Sequence, residues 1–370
     1  MTRRERLTRI FRGELPDRPA VKLWGVTPDQ KLLDPAYEPV YRKAVELTDL
    51  VMGGASSFNL PWGSASSDIT SQREVPTDSD EWVDVITEYR TPDGILQSVH
   101  RKSTVGKPGY QREYPIKEPG QLEWLLRFPY EPFPFSADPY LKSEQKVGDR
   151  GITFFGLDHP AYGLHRLIGS ENLAFWIFEC RDLLLEIIRT FSDRVRRQAS
   201  LAFDAGLCPV FGWVGPELYT PPLMSPANFD VLVAPFDRRL IDEIHGRGGY
   251  VWVHCHGMMD PVIDRFVDMG VDVLNPLEPP PMGDLTLAEA FDRVGDRMAL
   301  EGNIQIHDLL TCSTDQVRDL VQDALTVGAG KRHILCTCSG YMEWVQPEQR
   351  YIDNLMVYVE DSVRFAEGLR

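Results

Sequence analysis

Along the chain, short apolar runs alternate with longer segments in which apolar residues recur every three or four positions. Eight runs read as buried strands: "PAVKLWG" (19–25), a weaker one at 50–53, "GITFFGL" (151–157), "CPVFGWV" (208–214), "YVWVH" (250–254), "VDVLNP" (271–276), "MALEGN" (298–303) and "HILCTC" (333–338). Each is followed by helical periodicity, with helices expected at 37–48, through about 205, from the cap at Ser225 and Pro226 to His245, from Asp260, at 286–294, at 314–327 and from Pro347 onward. Strands apolar on both faces belong to a parallel sheet covered by helices. Eight such units predict an α/β chain folded as a (β/α)8 TIM-type barrel, one domain over 1–370. A doubly wound open sheet is the alternative, but no glycine-rich phosphate loop follows any strand. The pattern changes only at 80–116, where apolar and polar residues alternate around the turn signal Pro92-Asp93-Gly94. That stretch predicts an antiparallel hairpin inserted as a cap.

Composition narrows the class. Of 370 residues 43% are hydrophobic, and 39 Lys and Arg stand against 55 Asp and Glu, a net charge of −16. A chain this acidic is not expected to bind nucleic acid or anionic lipid. The basic opening "MTRRERLTRIFR" is interrupted by Glu5 and lacks an apolar core, so it reads as a solvated helix face rather than a targeting peptide. No run is long enough to span a membrane, and a cytoplasmic location is expected. The six cysteines read as thiols, with Cys180 and Cys208 in or near the core.

The chemistry gathers at the C-terminal ends of the predicted strands, where barrels of this type carry their active sites. Asp158, His159 and Tyr162 follow the third strand, Trp213 and Glu217 the fourth, His254 and His256 the fifth, and Asn275 and Glu278 the sixth. Glu301, Asn303 and Gln305 follow the seventh, and Cys336, Cys338 and Tyr341 the eighth. Strand alternation puts His254 and His256 on one side and Cys255 on the other. With the Cys336/Cys338 pair they predict a metal site, and nitrogen and sulfur donors suit Zn2+ rather than magnesium. Solvated loop residues are the competing reading. Trp24, Phe155, Trp213, Tyr341 and Trp344 would line an aryl pocket or else belong to the core.

The segments "RRERLTRIFRGELPDRPAV", "LMSPANFDVLVAPFDRRLIDEIHGRGGYVWVHCHG", "GVDVLNPLE" and "MALEGNIQIHDLL", in that order, resemble the uroporphyrinogen decarboxylase superfamily. The resemblance implies an α/β barrel and one of two activities. Decarboxylases of the superfamily grip substrate carboxylates with arginines of an N-terminal Arg-Gln-Ala-Gly-Arg segment, whereas this chain reads "KLWGVTPDQKLLDP" there. The corrinoid-dependent methyltransferase branch is the closer match. Its thiol-methylating members bind zinc through His-x-Cys after strand five and a Cys after strand eight. His254 stands at the His, His256 replaces the first Cys, and Cys338, with Cys336 as the alternative, stands at the last.

Replacing a thiolate by imidazole leaves more positive charge on the ion, which suits a substrate whose oxygen departs as an anion. The expectation is a zinc-dependent O-demethylase component. It would move a methyl group from a small methoxylated substrate, an aryl ether being one version, to the cobalamin of a partner corrinoid protein. Glu217 would be a further ligand or the general acid, Glu278 a weaker candidate for either, and His159 a further catalytic group. Trp24, Trp213, Asn275 and Tyr341 would contact substrate. A lyase acting on a small carboxylic acid and a metal-free methylcobalamin-dependent methyltransferase are the alternatives. A homodimer is the oligomer the superfamily suggests.

Overall fold

The computed structural model describes residues 1–55, 60–340 and 345–369. Its strands in chain order are β1 (Ala20–Val21), β2 (Leu50–Ala55), β3 (Thr70–Pro76), β4 (Trp82–Thr91), β5 (Gly94–Ser103), β6 (Tyr110–Glu113), β7 (Gly151–Gly156), β8 (Val210–Val214), β9 (Tyr250–His254), β10 (Val273–Leu277), β11 (Ala299–Ile304) and β12 (His333–Thr337). Eight of them form one parallel sheet in the order β1-β12-β11-β10-β9-β8-β7-β2, which curls as in a TIM barrel with helices around it. All eight predicted strands are present.

The two ends of that order meet at Asp49. Its N–H donates to the Val21 carbonyl at 2.7 Å, and its carboxylate accepts the Val21 N–H at 2.8 Å. Arg6, from the helix Arg3–Phe11, donates to the same fully buried carboxylate at 2.7 Å. Leu7, Ile10 and Phe11 of this helix share a core cluster with Ala20, Ile152, Val273, Ala299 and Ile334, which stand at or near the starts of their strands. The helix therefore plugs the N-terminal end of the barrel and leaves the other end for chemistry. A second, larger cluster fills the space between the sheet and the surrounding helices.

The expected hairpin is β4 with β5, paired from Trp82↔Ser103 to Thr91↔Gly94. It sits inside a larger insertion than predicted, because β3 and β6 add a strand on either side. The single helix expected from Ser225 to His245 is two, Pro226–Leu232 and Ala234–Gly246. Pro235 offers no N–H and disfavours helical geometry before it, so the chain breaks at Val233 (φ −120°, ψ −62°). The helix Pro160–Glu179 is interrupted at Gly169, φ +78°. A Cβ there would lie 2.4 Å from the Tyr114 ring, so glycine admits both the backbone turn and the aromatic that follows β6. Among the described residues no helix is long and apolar enough to cross a membrane.

Candidate active site

The barrel mouth divides into an inner polar network and an outer cavity. The inner network starts from a charge inside the barrel. Lys22, just beyond β1, and Glu301 on β11 are buried and bonded at 2.6 Å, Nζ to Oε1. Burial pushes the Lys22 ammonium down, but the Glu301 charge and hydrogen bond, together with the nearby Cys336, outweigh it and hold the group above its ordinary value. Lys22 is therefore held as the ammonium. Glu301 also accepts the Trp252 indole N–H at 2.9 Å and the Asn275 side-chain N–H at 2.9 Å.

These bonds fix a proton. A carboxylate only accepts, so Asn275 must turn its NH2 to Glu301 and its carbonyl oxygen to His254. That oxygen lies 2.6 Å from His254 Nδ1, which must carry the hydrogen. His254 is thus held as the Nδ1–H tautomer with its Nε2 lone pair free. Burial, then the charge of His256, push the His254 pKa down to about 4. The ring stacks with Trp252 at 5.9 Å and lies 5.0 Å from Trp24. Trp24 therefore contributes to the aromatic floor beneath His254.

Register places Asn275 beside His254 in the sheet. His256 lies past the end of β9, its ring 4.6 Å from that of His254 and almost perpendicular to it. Its Nδ1 bonds Glu278 Oε2 at 3.1 Å, and the same oxygen accepts the Gly257 N–H at 3.2 Å. Burial pushes the Glu278 carboxyl up, yet the His256 bond and charge outweigh it and keep the group below its ordinary value. Glu278 is ionised, so it is no proton donor in this arrangement.

Cys336 and Cys338 are fully or almost fully buried, and burial pushes both thiols well above their ordinary value. Cys338 Sγ faces the Leu277 carbonyl at 3.8 Å. Among the described residues no three His, Cys, Asp or Glu side chains are grouped to hold a metal ion. The expected ligands His254, His256 and Cys338 are not drawn into such a group here, and the Cys338 thiol is directed to a backbone carbonyl.

The outer cavity, about 660 Å³, lies between the strand ends of β7 and β8 and the inserted sheet. Asp158, His159 and Glu217 line its barrel end. Glu217 is half-buried, and burial pushes its carboxyl up against the opposing effect of the Gly215 N–H, which donates to Oε2 at 2.9 Å. It is close enough to His256 for their charges to interact. Two carboxyls of one mouth are thus driven apart, Glu217 toward the acid and Glu278 toward the carboxylate.

His159 is reassigned from catalysis to positioning. Its Nδ1 accepts the Tyr162 N–H at 3.2 Å as the N-cap of Pro160–Glu179, and its Nε2 bonds Asp237 at 3.1 Å. Both nitrogens are engaged, so neither a lone pair nor a proton is left for substrate. Trp213 is 2% exposed and donates to Asp237 at 3.3 Å, so its indole holds the His159 carboxylate partner rather than facing the cavity. Phe155 packs in the core against Phe135 and Phe211. Asn275 is fully buried and orients His254, which leaves no face for substrate. Tyr341 and Trp344 lie outside the described residues. All six cysteines are free, and Cys208, expected near the core, is exposed.

Residues 164–353 match the family model "Uroporphyrinogen decarboxylase (URO-D)". Two uroporphyrinogen decarboxylases of Prochlorococcus marinus, strains MIT 9303 and MIT 9313, are 25% and 24% identical over 261 residues, 66% of this chain and 68% of each relative. A methyltransferase from Methanosarcina mazei shares the fold with a TM-score of 0.61 at 15% identity, over 97% of this chain and 98% of its own. With half the chain matched by its model, this protein belongs to the uroporphyrinogen decarboxylase family.

Proposed function

We propose that this chain is a methyltransferase that removes the methyl group of a small methoxylated compound and passes it to the cobalt of a corrinoid protein. The observation that carries the reading is Glu217, a carboxyl pushed toward its acid form, in the wall of a cavity lined by aromatic rings. An ether oxygen is a poor leaving group unless it is protonated as the bond to methyl breaks. The corrinoid supplies the nucleophile that accepts the methyl group. The C–O bonding pair returns to the ether oxygen, the Glu217 proton follows it, and an alcohol or phenol leaves. Water then restores the acid. Glu278 stays ionised and holds His256, while the bonds of His159 to Tyr162 and Asp237 hold the entrance of Pro160–Glu179 in place.

Decarboxylation of a substrate bearing several carboxylates needs free cations around it. Among the described residues that end the barrel strands, Lys22 is the one lysine or arginine, and Glu301 neutralises it, while the outer cavity is lined by a single cation, Arg166, too few for several carboxylates. The methyltransferase whose fold this chain shares is in keeping with the reading.

Zinc at His254 and His256, with Cys338 or Cys336 as third ligand, is a separate proposal, and no step above passes through it. Binding there would require a thiol to lose its proton and turn from its present contact.

The test follows demethylated product from methoxylated aromatics with free cob(I)alamin as acceptor. Wild type should release the alcohol or phenol, and Glu217→Gln should lower the rate by roughly 10²–10⁴ with little change in substrate binding. Equal rates in both proteins would remove Glu217 from the chemistry.

A further inference from the structure

The cavity is larger than a methoxy group requires, and its two ends differ in charge. The barrel end carries Asp158 and Glu217. The far end is built by the inserted sheet, through Ser98 and His100 of β5 and Gln111 of β6, and by the second turn of Pro160–Glu179, through Arg166. Arg166 stands seven residues beyond His159, roughly 10 Å along the helix. The helix is pinned to the sheet there: Ile116 N–H donates to the Leu167 carbonyl at 3.0 Å, and the rings of Tyr114 and His165 lie 6.1 Å apart.

Arg166 is conspicuous for its lack of a counter-ion. Among the described residues it makes no hydrogen bond or salt bridge, and its only contact of note is the Tyr162 ring, 6.0 Å from the guanidinium carbon. Most other arginines of this acidic chain have found a carboxylate or carbonyl partner, and a planar donor fork facing an aromatic-walled cavity matches a carboxylate. Tyr89, Tyr114 and Tyr162 line the same cavity. The shape and charge call for a flat ligand with an anionic group at one end and a neutral group at the other.

We propose that Arg166, in the cavity that His100 of the inserted sheet also lines, binds a carboxylate on the substrate, so that the substrate class is a methoxylated aromatic acid with its methoxy group toward Glu217. This rests on the methyl-transfer reading for the role of the methoxy end, but the subsite can be measured without any methyl transfer.

Calorimetric titration of the purified protein with 4-methoxybenzoate and with its uncharged methyl ester tests the subsite directly. The acid should bind at least about tenfold more tightly than the ester, the worth of a charge-assisted bond. Arg166→Ala should abolish that preference while leaving ester binding unchanged, and Arg166→Lys should restore part of it. Arg166 is exposed, so neither variant threatens the fold. Equal binding of acid and ester by wild type, no binding of either, or an acid preference that survives Arg166→Ala would overturn the subsite. The two proposals fail separately. Tight, Arg166-dependent binding with no methyl transfer to cob(I)alamin would sink the activity and keep the subsite. Demethylation of anisole as fast as of 4-methoxybenzoate would sink the subsite alone.

Discussion

Replacing Glu301 by glutamine keeps the side chain's shape and removes one charge from the interior of the barrel. Lys22, 5% exposed, would be left as a buried ammonium without its counter-ion. Breaking a buried pair in this way costs on the order of 3–5 kcal/mol, a large part of the 5–15 kcal/mol that typically holds a domain folded. The cost should fall mostly on the abandoned charge. Lys22→Met/Glu301→Gln should therefore recover much of the loss, with a coupling energy of roughly 2 kcal/mol or more in a double-mutant cycle by urea denaturation. A local consequence follows from the same bonds. A glutamine can present its carbonyl or its NH2, so Asn275 is no longer compelled to turn its own NH2 inward. The His254 tautomer should then mix, which 15N chemical shifts of the imidazole read directly. Additive losses in the cycle, with His254 still purely the Nδ1–H form, would refute the reasoning that the Lys22–Glu301 charge pair sets the proton on His254.

Three further outcomes are expected. Asp49→Ala should destabilise the barrel by on the order of 3–5 kcal/mol, because it deprives Arg6 of a buried carboxylate and Val21 of its N–H acceptor at the β1–β2 seam; an unchanged urea midpoint would refute that closure. Burial pushes the His333 pKa down from 6.5 to about 4, so the folded state resists a proton that the unfolded chain takes up. Its contribution is complete above pH 6.5 and is lost as pH falls toward 4, on the order of 3 kcal/mol in all, and His333→Gln should flatten that part of the stability profile. The separate zinc proposal requires protein purified without chelator to carry about one zinc per chain by elemental mass spectrometry, lost in a His254→Ala/His256→Ala variant. Metal-free wild type would remove the zinc proposal and leave the Glu217 chemistry standing.

The barrel strands were legible because burial on both faces writes an unbroken apolar run, and the hairpin because Pro92-Asp93-Gly94 separates two alternating runs. Its neighbours were not. β3 reads "TSQREVP" and is largely exposed, and β6 has four residues, so neither carries an apolar signature. The residues of the mouth could be named from their places at strand ends, but not their duties. His159 shows why: a side chain ahead of a proline at the first helical position is a capping signal, and capping consumes the nitrogen that catalysis would need. Lys22 was readable in principle, since a lysine amid "PAVKLWG" must find a buried anion. Asp237 was not, because nothing in a helical "PFDRRL" separates a buried aspartate from a solvated one. Its partners His159 and Trp213 come from two other strand ends, and only the fold brings the three together.

The central claim is that a methyl group leaves an ether intact and arrives on cobalt. Incubating the protein anaerobically with stoichiometric cob(I)alamin and 4-methoxybenzoate carrying a CD3 label on oxygen tests it in a single turnover. Mass spectrometry of the corrinoid should find the CD3 group whole, with one equivalent of 4-hydroxybenzoate formed. Release of carbon dioxide with the CD3 label retained in the product anisole would contradict methyl transfer and establish a decarboxylase instead.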